Sequence, residues 1–118
     1  SEALGDRAGI MRYGEATIPM DEALILAAVD ICGRASVGDA LQIPTEKVGD
    51  FDTELVSEFL YGFARALGAA IHVRQFSGNN SHHIVEGCFK ALARAMRQAV
   101  AIDAAFALEI PSTKGTIL

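Results

Sequence analysis

Between Phe51 and Ala101 the spacing of apolar residues changes twice, and few folds accommodate both changes. Over residues 51–67 (FDTELVSEFLYGFARAL), Leu55, Phe59, Phe63 and Leu67 recur every four positions, with Val56 and Leu60 beside them. That is the period of a helix with one apolar face. Asp52 or Thr53 can cap its first turn, and Gly68 is placed to end it. Residues 70–76 (AIHVRQF) then alternate with a period of two, as a half-buried strand does. After the loop Ser77-Gly78-Asn79-Asn80, residues 82–101 return to helical spacing, with Ile84, Val85, Phe89, Leu92, Ala93 and Met96 as the apolar set and Ser81 as the expected N-cap. A helix, a strand and a helix on such short connections must share one layered core.

The residues before this unit read mostly as strands. Residues 8–19 (AGIMRYGEATIP) mix β-branched and aromatic residues with alternating polar ones, which favours a strand. Residues 22–33 (EALILAAVDICG) form an apolar run that suits either a buried strand or a buried helix, and Gly33 ends either. Residues 37–43 are a weaker strand, and the tail from Asp103 is irregular. The expected class is α+β: helices packed on one face of a small mixed or antiparallel sheet. At 118 residues the chain is one domain or less, with enough length for a core but little margin.

Charge and composition exclude several classes. The net charge of -5 comes with no basic stripe, so nucleic acid is not an expected partner. No apolar run reaches membrane-spanning length, and no secretory leader opens the chain. Cys32 and Cys88 are far apart in apolar stretches, so they are expected in the core as free thiols, which suits a reducing, cytoplasmic setting. The chain opens on Ser1-Glu2-Ala3 without an initiator Met, as a processed or cut piece would.

The chemistry concentrates in His82-His83-x-x-Glu86. Residues three or four apart share a helix face, so Glu86 neighbours both histidines. The adjacent histidines diverge by about 100° and can aim ligands at two different ions. Imidazole with carboxylate suits a first-row divalent metal. The helix N-terminus disfavours imidazolium and is expected to keep these rings neutral. The plainer alternative is a polar patch at a helix terminus. A zinc-protease reading fits poorly, because that motif spaces its histidines one turn apart. The tail Pro111-Ser112-Thr113-Lys114-Gly115 offers hydroxyls and a cation for phosphate, or is a surface turn; it lacks P-loop spacing. Arg12 and Arg34 are candidate anion clamps. His72, mid-strand, is expected to be a hydrogen-bonded structural histidine. Asp21 and Glu22 could support a metal shell, although a polar role at a strand edge is the simpler expectation.

The stretch Gly78-Asn79-Asn80-Ser81-His82-His83-Ile84-Val85-Glu86, followed by Phe89-Lys90-Ala91-Leu92-Ala93-Arg94-Ala95, resembles the second metal motif of the imidazoleglycerol-phosphate dehydratases. So do Gly5-Asp6-Arg7-Ala8-Gly9-Ile10, Pro19-Met20-Asp21-Glu22-Ala23-Leu24, Gly49-Asp50-Phe51-Asp52-Thr53-Glu54-Leu55-Val56 and Pro111-Ser112-Thr113-Lys114-Gly115. These islands occur in the family's order and cover nearly the whole chain. They turn residues 22–33 towards a strand.

The resemblance implies the carboxy-terminal part of a dehydratase built from two tandem half-repeats of the ribosomal-S5-domain-2-like kind. On that reading residues 1–20 are a junction and first strand, 21–103 the second half-repeat, and 104–118 a phosphate-binding tail. It implies dehydration of imidazole glycerol phosphate to imidazole acetol phosphate in histidine biosynthesis. Two manganese ions would serve each complete site, in a large cage-like homo-oligomer. His82, His83 and Glu86 would be metal ligands, and Lys90, Arg12, Arg34, Ser112, Thr113 and Lys114 would hold the phosphorylated imidazole substrate. The catalytic base and remaining ligands are expected from the absent first half, so the partner is an amino-terminal fragment or further copies of this chain. Glu58 stands where the family usually has a metal-binding histidine, and is either a substitute ligand or a solvated helix residue. The alternative is a non-catalytic truncated paralogue whose half-site binds metal to stabilise an oligomer.

Overall fold

A computed structural model of the chain describes residues 9–104. In chain order it contains β1 (Tyr13–Met20), β2 (Ala23–Asp30), β3 (Ser36–Ala40), β4 (Lys47–Val48), β5 (Phe51–Asp52), α1 (Glu54–Leu67), β6 (Ala70–Ser77) and α2 (Ser81–Ala99). The main sheet runs β1-β2-β6-β3, antiparallel except for the parallel β3–β6 pair, and both helices lie on one face. The mixed sheet with one-sided helices is the α+β arrangement expected.

The run at 22–33 is a strand. In β2, Ala23, Ile25, Ala27 and Val29 are buried and alternate with half-buried Leu24, Leu26, Ala28 and Asp30. A central strand with helices on one side produces that pattern, because both its neighbours are strands and only one face is fully covered. Ile71 and Val73 of β6 continue the buried face, and Leu60, Val56, Ile84 and Cys88 close it from the helices. Each large aliphatic side chain buried here contributes about 1.5–3 kcal/mol before chain entropy is counted.

Four local expectations need correction. First, β1 begins at Tyr13, not at residue 8, because Arg12 takes a left-handed backbone (φ 75°) that interrupts the pleat. The Met11 and Arg12 amides instead donate to the carbonyls of Ala101 and Ala99 at the end of α2. Second, residues 47–52 form a two-stranded hairpin turning at Gly49 (φ 61°), so α1 starts at Glu54. Thr53 does not cap it; its hydroxyl donates to the Thr45 carbonyl.

Third, the buried stripe of α1 is Val56, Leu60, Ala64 and Leu67, so Val56, Leu60 and Leu67 of the expected face lie in it, while Leu55 and Phe59 do not. Leu55 and Phe59 are 44% and 43% exposed, and Phe59 stacks on Phe63 and meets the edge of Phe89, with centroids 5.5 and 5.3 Å away. The helix period of 3.6 rotates a four-residue row off the core, so Phe59 turns outward while half-buried Phe63 and Phe89 still pack against the core. Fourth, on α2 Ala93 is exposed, while Cys88, Ala91, Ala95 and Ala99 are buried. Small residues are needed there because the helix lies almost on the strand: a Cβ at Gly14 would sit 1.9 Å from the Ala95 carbonyl oxygen.

Candidate functional site

Three segments meet at one edge of the sandwich: the Asp21-Glu22 turn between β1 and β2, the loop 77–80, and the first turn of α2. Asn80, not Ser81, is the N-cap. Its backbone is extended and its side chain accepts the His83 amide at 3.0 Å, whereas Ser81 is already helical and its hydroxyl accepts the Thr45 amide at 3.1 Å. An Asn side chain reaches the third amide of a following helix as well as Ser does, so composition alone could not separate the two positions.

The histidines point to different partners, with ring centroids 6.2 Å apart and planes crossed at 76°. His82 Nε2 lies 3.1 Å from Glu86 Oε1, and the other oxygen of Glu86 meets Lys90 Nζ at 3.0 Å. His83 turns towards the β1–β2 turn, with Nδ1 2.6 Å from Glu22 Oε1 and Nε2 3.1 Å from Asp21 Oδ2. Glu22 Oε2 also accepts the Asn79 and Asn80 amides, at 2.7 and 2.9 Å.

These contacts set the protonation balance. The Asn80 amide, then the His83 ring and the Asn79 amide, hold the Glu22 carboxyl down at about 2. Lys90 foremost, helped by His82, lowers Glu86. His83 is raised, chiefly by its hydrogen bond to Glu22. The shift runs opposite to the one a helix N-terminus alone would give: a direct carboxylate bond outweighs the partial charge of a helix end.

Imidazole nitrogen with carboxylate oxygen is a suitable donor set for a manganese-class ion. Adjacent ligands in an octahedral shell of about 2.1 Å radius lie about 3 Å apart, which is the spacing of the His82–Glu86 pair. The set is partial, however. Among the described residues no three His, Cys, Asp or Glu side chains gather as an ion would need. Glu58, exposed on α1, is not brought to His82 and Glu86. Beside His82 and Glu86 lies an open cleft of about 360 Å³ with Val48, Phe51, Val85 and Phe89 in its walls. The sequence reading did not anticipate this apolar wall, because half of it comes from the short hairpin.

Of the expected substrate residues that the structure describes, only Lys90 lies at this edge. Arg12 precedes β1, while the Asp21-Glu22 turn follows it, so the eight-residue strand separates them by about 27 Å. Its guanidinium is held by Asp30, with Nε to Oδ1 at 2.7 Å, and lies 5.0 Å from the centroid of the Tyr13 ring. Arg34 is exposed beyond the end of β2. Ser112, Thr113 and Lys114 lie outside the described residues. His72 is exposed on the sheet face away from the helices, against Gly38, and its ring makes no hydrogen bond among the described residues, contrary to the expected structural role. Cys88 is buried as expected, and burial pushes its thiol up to about 12; Cys32 is only half-buried and donates to the Arg34 carbonyl.

The family model described as imidazoleglycerol-phosphate dehydratase matches residues 1–96. An imidazoleglycerol-phosphate dehydratase of Desulforamulus reducens is 55% identical over 98% of this chain and 59% of its own length. One from a Synechococcus species is 53% identical over 99% and 58%. Among solved structures, the dehydratase of Staphylococcus aureus superposes with a TM-score of 0.83 at 39% identity, covering 86% of this chain and 60% of that one. The Pyrococcus furiosus enzyme gives 0.79 at 41% identity, covering 87% and 59%. The chain thus spans about three-fifths of the length of these relatives.

Proposed function

The chain belongs to the imidazoleglycerol-phosphate dehydratase family, and from that premise we propose that it supplies one side of a manganese-dependent dehydratase site. The reaction is loss of water from imidazole glycerol phosphate to give imidazole acetol phosphate, a step of histidine biosynthesis. The observation that carries the proposal is the run His82–Glu86–Lys90, two metal donors and a cation in successive contact along one helix face. When bound, manganese supplies charge stabilisation and a template for the imidazole ring. His82, His83 and Glu86 would hold it, with Glu58 a substitute ligand only if another chain brings it within reach. Lys90 turns from Glu86 to the substrate anion. Val85 and Phe89 offer an apolar wall that excludes water beside the ring.

Arg12 and Arg34 stand at the opposite end of the sheet from His82 and His83. They serve a phosphate in the same site only if a second chain presents them, so we read the complete site as shared within a homo-oligomer. Ser112, Thr113 and Lys114 would join the phosphate. The proton-abstracting base comes from the part of the relatives that this chain does not span. No helix among the described residues is long and apolar enough to cross a membrane, and the two free thiols suit the cytoplasm.

The test is to assay dehydration with manganese, first with the chain alone and then with the portion of the Desulforamulus reducens relative that it does not span. We expect turnover only in the mixture, and a loss of at least about 100-fold with His82→Ala or Glu86→Ala. Turnover by the chain alone would mean that copies of it complement one another. No turnover in the mixture would overturn the reading in favour of a metal-held, non-catalytic assembly.

A further inference from the structure

Glu22 makes more contacts than a carboxylate at a strand edge requires. One oxygen accepts two consecutive backbone amides, Asn79 at 2.7 Å and Asn80 at 2.9 Å, and the other lies 2.6 Å from His83 Nδ1. The two amides fix the carboxylate in position and rotation, because both converge on one oxygen and leave the second aimed at the ring. The His83 backbone is fixed independently by the Asn80 side chain. The ring is thus held at both ends: its Cα by the helix cap and its Nδ1 by Glu22. The remaining nitrogen, Nε2, faces the exposed Asp21 carboxylate at 3.1 Å, and it is the nitrogen that a metal ion would have to take over from Asp21.

We propose that Glu22 is the positioning residue of the metal site, holding the proton of His83 on Nδ1 so that Nε2, on the side of Asp21, is the nitrogen available to an ion. The proposal rests on His83 being a metal ligand, as read above. A carboxylate bonded to the far nitrogen of a ligand histidine fixes its tautomer and raises its basicity, and loss of such a partner typically weakens metal binding 10–100-fold. The same carboxylate ties the β1–β2 turn to the start of α2, so its two roles must be separated experimentally.

Glu22→Gln separates them. The amide oxygen of glutamine can keep both backbone bonds to Asn79 and Asn80, but its NH₂ group then faces His83 Nδ1. A donor in that place favours the tautomer with the proton on Nε2, where it blocks the ligand position. The first measurement is the ¹⁵N shift pattern of the His83 ring in the metal-free chain, at a pH above its titration. The second is affinity for Mn²⁺ alone, followed by electron paramagnetic resonance of the free ion. We expect the wild-type ring to carry its proton on Nδ1, Glu22→Gln to move it to Nε2, and Mn²⁺ affinity to fall 10–100-fold with the thermal midpoint little changed. Glu22→Asp, too short to span both sets of contacts, should lose affinity without installing the reversed tautomer. An unchanged tautomer in Glu22→Gln, or unchanged Mn²⁺ affinity beside a switched tautomer, would overturn the proposal. If the wild-type chain binds no Mn²⁺, the metal reading of this chain fails, while the tautomer measurement still decides what Glu22 does to the ring.

Discussion

At the scale of single residues, two glycines test opposite sides of the packing. A Cβ at Gly14 would come within 1.9 Å of the Ala95 oxygen and 2.9 Å of the Ala99 nitrogen, all backbone, so nothing can swing aside. Gly14→Ala should lower stability by about 1–3 kcal/mol or more by levering α2 off β1. Gly62, inside α1, has open space where its Cβ would be, so Gly62→Ala should raise stability by about 1 kcal/mol through helix propensity alone. Thermal or urea unfolding of the pair checks both signs. Cys88 gives a pH prediction. Its folded thiol titrates near 12 instead of 9.0, so above pH 9 the unfolded chain loses a proton that the native chain keeps. Stability should therefore fall as pH rises past 9, and Cys88→Ala should flatten that slope in melts across the range. The metal motif itself was readable at this scale, because spacing on a helix determines which side chains meet. The grip of Glu22 on His83 was not, since sixty-one positions separate them and only the folded sheet closes that gap.

At the scale of elements, the first turn of α2 depends on its cap. Asn80→Ala removes the acceptor for the His83 amide, and about 1 kcal/mol of stability should go with it. Hydrogen exchange at the His82 and His83 amides should quicken more than exchange at Ala91 or Ala95, which lie deeper in the helix. Periodicity alone made the type of α1, β6 and α2 legible, while β2 needed the family resemblance because an apolar run does not declare its own conformation. Boundaries were less legible, for tertiary reasons. The β4–β5 hairpin took the residues that would have opened α1, and the pairing of residues 9–12 with the end of α2 took those that would have extended β1. The aromatic row of α1 misled because a strong apolar row need not face the core. Here Phe59 points outward, stacking on Phe63 and meeting the edge of Phe89, which are half-buried at the margin of the core.

At the scale of the whole molecule, ligand binding should be visible as stability. An ion that binds only the folded chain stabilises it by mass action, about 2.7 kcal/mol at a hundredfold excess over the dissociation constant. The thermal midpoint should therefore climb with manganese concentration in the wild type, and a chelator should reverse the gain. In His82→Ala the climb should be weaker or absent. Differential scanning calorimetry across a manganese series gives the answer without any turnover assay. The separation of Arg12 and Arg34 from the histidines belongs to this scale too. Motif reading placed all these residues on one list, and only the length of β1 shows that one chain cannot bring them to one substrate.

The crossed pair His82 and His83 has a mechanical consequence. Their rings sit on consecutive residues of one capped helical turn, so the spacing of their attachment points is set by the pitch of the backbone. The turn acts as a caliper whose two jaws are set differently: His82 leans on Glu86 of its own helix, whereas His83 is gripped by Glu22 of the β1–β2 turn, so a shift of that turn would re-tilt one ring and leave the other. Any adjustment to the size of what they grip can therefore come through the sheet as well as from the opposing side.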